Sequence, residues 1–130
     1  MGFSIFRAAM TILICCFLVL LFLLPSAILS RFSAQANDLI DKAENALLSG
    51  DSDAAAPYCA ALFALVRERM PVLERFLNHA SIDALDACAA VADCAVRAND
   101  PGAAAEALAE ARSVLVRIEG IELFSWNNLL

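Results

Sequence analysis

Acid is missing from the first 37 residues: all fifteen Asp and Glu lie at or beyond Asp38, and the only charged side chains before that point are Arg7 and Arg31. Between those two arginines, Ala8 to Ser30 runs for 23 residues without a charge, which excludes a solvated surface there. Histidine is nearly absent as well, with His79 alone, so the common two- and three-histidine metal sets cannot be assembled. The glycines Gly50, Gly102 and Gly120 stand isolated, and no glycine elbow surrounds Ser81, Ser113 or Ser125. Neither a phosphate-cradling loop nor a nucleophile turn is therefore present. Five cysteines, an odd number with no C-x-x-C spacing, weigh against a zinc site or a disulfide framework. No nucleophile, base and orienting group can be combined, so no enzyme is expected and no cofactor is implied.

What is present begins with the apolar run. At about 1.5 Å per residue a helix over residues 8–30 reaches roughly 34 Å, enough to cross a hydrocarbon core of about 30 Å. The densest part, Ile12 to Leu24, ends at Pro25, which a spanning helix tolerates near an end. Two arrangements compete. In the favoured one, residues 1–7 are a cytoplasmic leader, residues 8–30 are a transmembrane signal-anchor in contact with membrane lipid, and residues 31–130 form an extracytoplasmic domain. In the other, Ala34-Gln35-Ala36 offers a small-x-small cleavage signal before Asn37. Later apolar residues are interrupted by charges every few positions, so only one span is available. Cys15 and Cys16 lie inside it as small hydrophobes.

About a hundred residues remain, enough for one core. The 62% hydrophobic fraction sums the span with an Ala-rich remainder, and alanine is a helix former as much as a core residue. Seven basic residues against fifteen acids give the region 32–130 a formal charge of −8, the wrong sign for a nucleic-acid surface.

Helical periodicity divides this region four times. Leu39, Ile40, Ala43, Ala46 and Leu47 give a first amphipathic helix from Ala34 to Leu48, closed by Ser49-Gly50. A second runs from about Asp53 through Cys59, Leu62, Phe63, Val66 and Met70. A kink or short break is expected at Met70 before Pro71, with Val72, Leu73, Phe76 and Leu77 continuing the apolar face. Ser81 is the expected cap of a third helix carrying Ile82, Leu85, Ala89, Ala92 and Val96. Asp100 caps a fourth, with Pro101 first and Ala104, Leu108, Ala111, Leu115 and Ile118 as its stripe, until Gly120 stops it. A shift of 49 superposes Asp51 on Asp100 and the alanines 54–56 on 103–105, so the chain reads as two helix hairpins. The tail, residues 121–130, is apolar and is expected to close back onto the helices. The predicted fold is all-α: one N-terminal transmembrane helix followed by a three- to four-helix antiparallel bundle.

Candidate functional residues are few. His79 and Asp83 stand at i, i+4, where a carboxylate can orient an imidazole for metal binding or proton transfer, though a lone histidine at a helix junction is ordinarily structural. Cys88 and Cys94 lie on different faces of one helix, so at most one of them pairs with Cys59. Asp51-Ser52-Asp53 lacks the glycine and terminal Glu of a calcium loop and serves for capping. Phe124 and Trp126 are candidate partner contacts in the tail.

Taken together, the N-terminal span, Gly50-Asp51 opening the second helix, Phe76-Leu77-Asn78-His79 followed by Ser81-Ile82-Asp83, and the ending Glu122-Leu123-Phe124-Ser125-Trp126-Asn127-Asn128-Leu129-Leu130 resemble a known family. It is a family of small membrane-anchored bacterial proteins known only as domain of unknown function 4363. The chain departs from the family's habit in having Asp53-Ala54 where an aromatic residue is common after the Gly-Asp turn, and in being rich in Ala and Arg rather than Lys and Glu. The resemblance implies an anchored helical domain and no activity. The leading expectation is an interaction or scaffold module with a protein partner, its acidic face favouring a basic one. The alternative is a ligand or metal sensor built in the bundle interior around His79, Asp83, Cys88 and Cys94.

Overall fold

In a computed structural model the chain forms four helices: α1 (Gly2–Leu48), α2 (Ser52–Leu73), α3 (His79–Arg97) and α4 (Pro101–Leu129). The structure describes the backbone of residues 1–129 and the side chains through Gly120. α1 packs on α2, α2 on α3, α3 on α4, and α4 returns to α1, closing a square. The turns at residues 49–51, 74–78 and 98–100 are too short for anything but antiparallel neighbours. The all-α expectation holds, with the bundle's first helix supplied by the continuation of the apolar helix.

The span and the first amphipathic helix are one element. α1 runs 47 residues, about 70 Å, through Pro25 and across Arg31 without a break. Its residues through Leu24 are exposed throughout, and burial becomes complete at Leu29, Phe32, Ser33, Ala36, Ile40 and Ala43. The sequence stripe beginning at Leu39 missed Leu29, Phe32 and Ala36. Those three stand at i, i+3 and i+7, the same helical face carried backwards into the apolar run.

Two matching turns reverse the chain at the far end of the bundle. At the first, Gly50 adopts φ 74°, its N–H donates to Leu47 O, and the Asp51 N–H donates to Ala46 O. At the second, Asn99 adopts φ 56°, its N–H donates to Val96 O, and the Asp100 N–H donates to Ala95 O. Both are helix ends sealed by a left-handed residue, the geometry that glycine and asparagine tolerate. Asp51 and Asp100 then accept hydrogen bonds from Ala54 N and Ala103 N, capping α2 and α4. The 49-residue similarity is this paired device.

The core is one cluster. Cys59, Leu62 and Val66 of α2, Ile82, Leu85, Ala89, Ala92 and Val96 of α3, and Ala104, Leu108, Ala111, Leu115 and Ile118 of α4 are all buried as their spacing predicts.

Three local expectations give way. α2 passes through Pro71 and ends at Leu73, after which Phe76 is 49% exposed, and Val72 within its last turn is 37% exposed, so neither continues the core face. α3 is capped not by Ser81 but by Asn78, whose side chain accepts from Ala80 N, because helical geometry is already in place at His79. α4 does not stop at Gly120 but continues to Leu129. A single interior glycine costs only about 1 kcal/mol, too little to end a helix anchored on one side by a buried stripe. The packing expected of the tail, with the contacts of Phe124 and Trp126, lies outside the described residues.

Candidate functional site

His79 is the first residue of α3 and is exposed, and Asp83 is exposed one turn further on. No hydrogen bond or ion pair joins them among the described residues. Cys88 and Cys94 sit on different surfaces of α3, Cys59 is buried inside α2, and all five cysteines are free thiols. The four residues of the expected sensor site are therefore not brought together in the interior. Among the described residues no group of three or more His, Cys, Asp or Glu side chains converges.

What the fold does assemble is a surface. α3 and α4 flank an open groove of about 420 Å³ lined by Ala84, Ala87, Cys88, Val91, Ala103 and Ala107, with Glu106 and Glu110 at its edge. Val91, 53% exposed, stands there without a cover. The alanines let the two helices lie close and leave the groove shallow. Burial pushes the Cys88 thiol above its ordinary pKa, and Glu110 adds to the effect. Burial likewise raises Cys59, to about 11, with Asp93 contributing from α3. Both thiols are held as neutral hydrophobes, the opposite of an activated nucleophile.

Charge is divided along the bundle. Call the end where α1 enters the base, and the end with the turns at 49–51 and 98–100 the far end. The far half holds the acids Asp38, Asp41, Glu44, Asp51, Asp53, Asp93, Asp100, Glu106 and Glu110 against Lys42, Arg97 and Arg112. Most of this charge is solvated. Arg112 of α4 is held by Asp41 at 2.5 Å and Glu44 at 2.8 Å of α1, and Asp41 first, then Glu44, raises its pKa further. Lys42 pairs with Asp38 at 2.9 Å, and that hydrogen bond raises its pKa. Buried Asp93 is neutralised by Arg97 one turn later.

The base half is different. Among the described side chains, Arg31, Arg67, Arg69, Arg75 and Arg117 there balance Glu68, Glu74, Asp83, Asp86 and Glu119. Arg67 pairs with Asp86 at 2.9 Å and lies over the Phe63 ring. Arg31, Arg69, Arg75 and Arg117 are exposed, with no ion pair among the described residues. Equal rise along antiparallel helices puts three of them at one height: Arg69 is seventeen residues after Ser52, Arg31 seventeen before Leu48, and Arg117 sixteen after Pro101. Sequence reading gave only the net charge, because height in a bundle depends on where each helix reverses.

Among the described residues one helix, α1, is long and apolar enough to cross a membrane, and its apolar stretch is almost wholly exposed. Comparison with known proteins bears on the rest of the chain. The profile of a family described as Domain of unknown function (DUF4363) matches residues 24–129, from the last apolar turn of the exposed half of α1 to the end of α4. No curated protein and no solved structure matches.

Proposed function

The chain belongs to the DUF4363 family, and from that premise we propose that it is a single-pass membrane protein whose extracytoplasmic bundle serves as a protein-interaction module. The observation that carries the proposal is the unbroken α1. An exposed apolar half with no protein cover continues directly into a helix whose next turns are core. Lipid is the environment that suits the first half, and the shared helix then ties the bundle to the bilayer without a linker. The role is recognition rather than catalysis, exercised by the outer surface of a packed bundle.

The partner's chemistry follows from the α3–α4 groove. Small residues, an uncovered Val91 and the carboxylates of Glu106 and Glu110 suit a helix bearing apolar side chains and basic residues. The acidic far half would draw such a partner in and turn away acidic ones.

Affinity capture of the full-length tagged protein from its native membrane tests this, with mass spectrometry reading both the partners and the protein's own N-terminal peptide. The expected result is a stoichiometric partner that is lost when Glu106→Lys and Glu110→Lys are introduced together, and a terminus at Met1 or Gly2. A partner profile unchanged by the charge reversals would overturn the groove. A terminus at Asn37 would overturn the anchor.

A further inference from the structure

The α4 helix runs nine residues past Gly120, and the antiparallel pairing of α4 with α1 says where those residues go. Glu44 and Leu48 share one surface depression with Pro101 and Ala105. Counting equal steps from Glu44 and Ala105, Ile121 comes level with Ile28 and Trp126 with Leu23. Leu23 is the penultimate residue of the densest apolar run, Ile12 to Leu24. If α1 crosses a bilayer, the boundary between acyl chains and headgroups falls at this height, where tryptophan is enriched in membrane proteins.

The register of α4 points the same way. Its buried stripe, Ala104, Leu108, Ala111, Leu115 and Ile118, continues at the positions of Glu122, Ser125 and Leu129. Leu123 and Phe124 fall at the register positions of Val116 and Arg117, both exposed. Up to Ile118 every position of the core stripe is apolar. Beyond Gly120 a Glu and a Ser take stripe positions while Leu123 and Phe124 stand off it, as they would if the medium around the helix changed from water to lipid. At the base turn Phe76 is half exposed next to Arg75. Above it stand the exposed Arg31, Arg69 and Arg117. Arg31 is eight residues, about 12 Å, above Leu23, a distance that an arginine side chain and the headgroup layer together cover.

We infer that the C-terminal turns of α4 form a second, interfacial contact with the bilayer that α1 crosses, with Trp126 at the headgroup boundary and the base arginines above it as a cationic collar for lipid phosphates. The inference rests on the membrane-anchored reading of α1. It makes the base of the bundle a lipid-facing surface and leaves the acidic far half for protein partners.

Trp126 is the chain's one tryptophan, so its emission reports the segment directly. The full-length protein is reconstituted in vesicles of phosphatidylcholine and phosphatidylglycerol, with acyl chains brominated either near the headgroup or near the chain end. The expected result is at least twofold quenching of Trp126 by bromines near the headgroup, and weaker quenching by those near the chain end. A second protein, carrying Trp126→Phe and Phe17→Trp, moves the reporter to the middle of the apolar run and reads α1 alone. If the reporter at position 17 is quenched by chain-end bromines while Trp126 responds to neither lipid, the interfacial contact is overturned and the anchor stands. If neither reporter responds, the anchor itself fails. Strongest quenching of Trp126 by chain-end bromines would overturn its placement at the boundary.

Discussion

Phe32 is where the continuity of α1 can be broken most informatively. It lies just past the end of the uncharged run, yet it is 2% exposed and belongs to the bundle core. Removing a buried phenyl ring forfeits its transfer free energy and leaves a cavity that packed neighbours close only in part, so Phe32→Ala should cost about 3–5 kcal/mol. Against the ~5–15 kcal/mol typical of a whole domain, that is a large fraction. The assay is urea unfolding in mild detergent followed by far-UV circular dichroism. With a slope of roughly 1–2 kcal/mol per molar for a bundle of this size, the midpoint should fall by about 1.5–5 M. Phe17→Ala, at a position 60% exposed within the apolar half, is the matched control and should leave the midpoint in place. If the two variants unfold together, within about 0.5 kcal/mol, then the bundle does not use α1 at this height and the shared-helix account is refuted.

Two further outcomes follow from the charged and titratable groups. The Cys59 thiol is raised from 9.0 to about 11, so the fold favours its protonated form. That contribution, on the order of 2–3 kcal/mol, is fully present below pH 9 and is lost as pH climbs from 9 through 11. Cys59→Ala should therefore flatten the alkaline limb of the stability profile, read as Tm against pH. Replacing both partners of Arg112, with Asp41→Asn and Glu44→Gln together, should cost only about 0.5–1 kcal/mol at low salt and less in ~1 M NaCl, because the cluster is partly solvated. A loss that ignores salt would mean the two side chains act through packing.

Every residue that the sequence pattern assigns to the α3 and α4 stripes is buried, because those helices have one apolar face against one polar face, and only Asp93, Ala107 and Val114 are buried beyond them among the described residues. The pattern failed wherever two environments meet. The face of α1 at Leu29, Phe32 and Ala36 was hidden because a run apolar on every side has no readable stripe, and only the partner helices show which residues turn inward. Gly120 reads as a stop because helix-ending glycines are common, but a glycine stop works through a left-handed conformation sealed by hydrogen bonds, which Gly50 adopts and Gly120 does not. The surface was the least legible part. Its acids and arginines could be counted, but their separation into a far half and a base half depends on where the three turns fall. His79 drew notice by being alone of its kind, and the fold leaves it exposed at a helix start.

The division of charge bears on how the two halves of α1 act together. Six net negative charges in the far half, against one in the base half once Glu122 is counted, give the bundle a polarity parallel to α1. In an anionic bilayer that polarity favours one attitude: lipid phosphates attract the base arginines and repel the far-half carboxylates. A flexible tether would need this field to stand the bundle upright, and salt would weaken it beyond the Debye length of ~8 Å. An unbroken helix fixes the attitude mechanically. If α1 spans a bilayer as proposed, the field is left to act on whatever approaches the acidic end from the aqueous side. A break introduced between Pro25 and Leu29 would transfer orientation from the helix to electrostatics, and attitude would become dependent on salt.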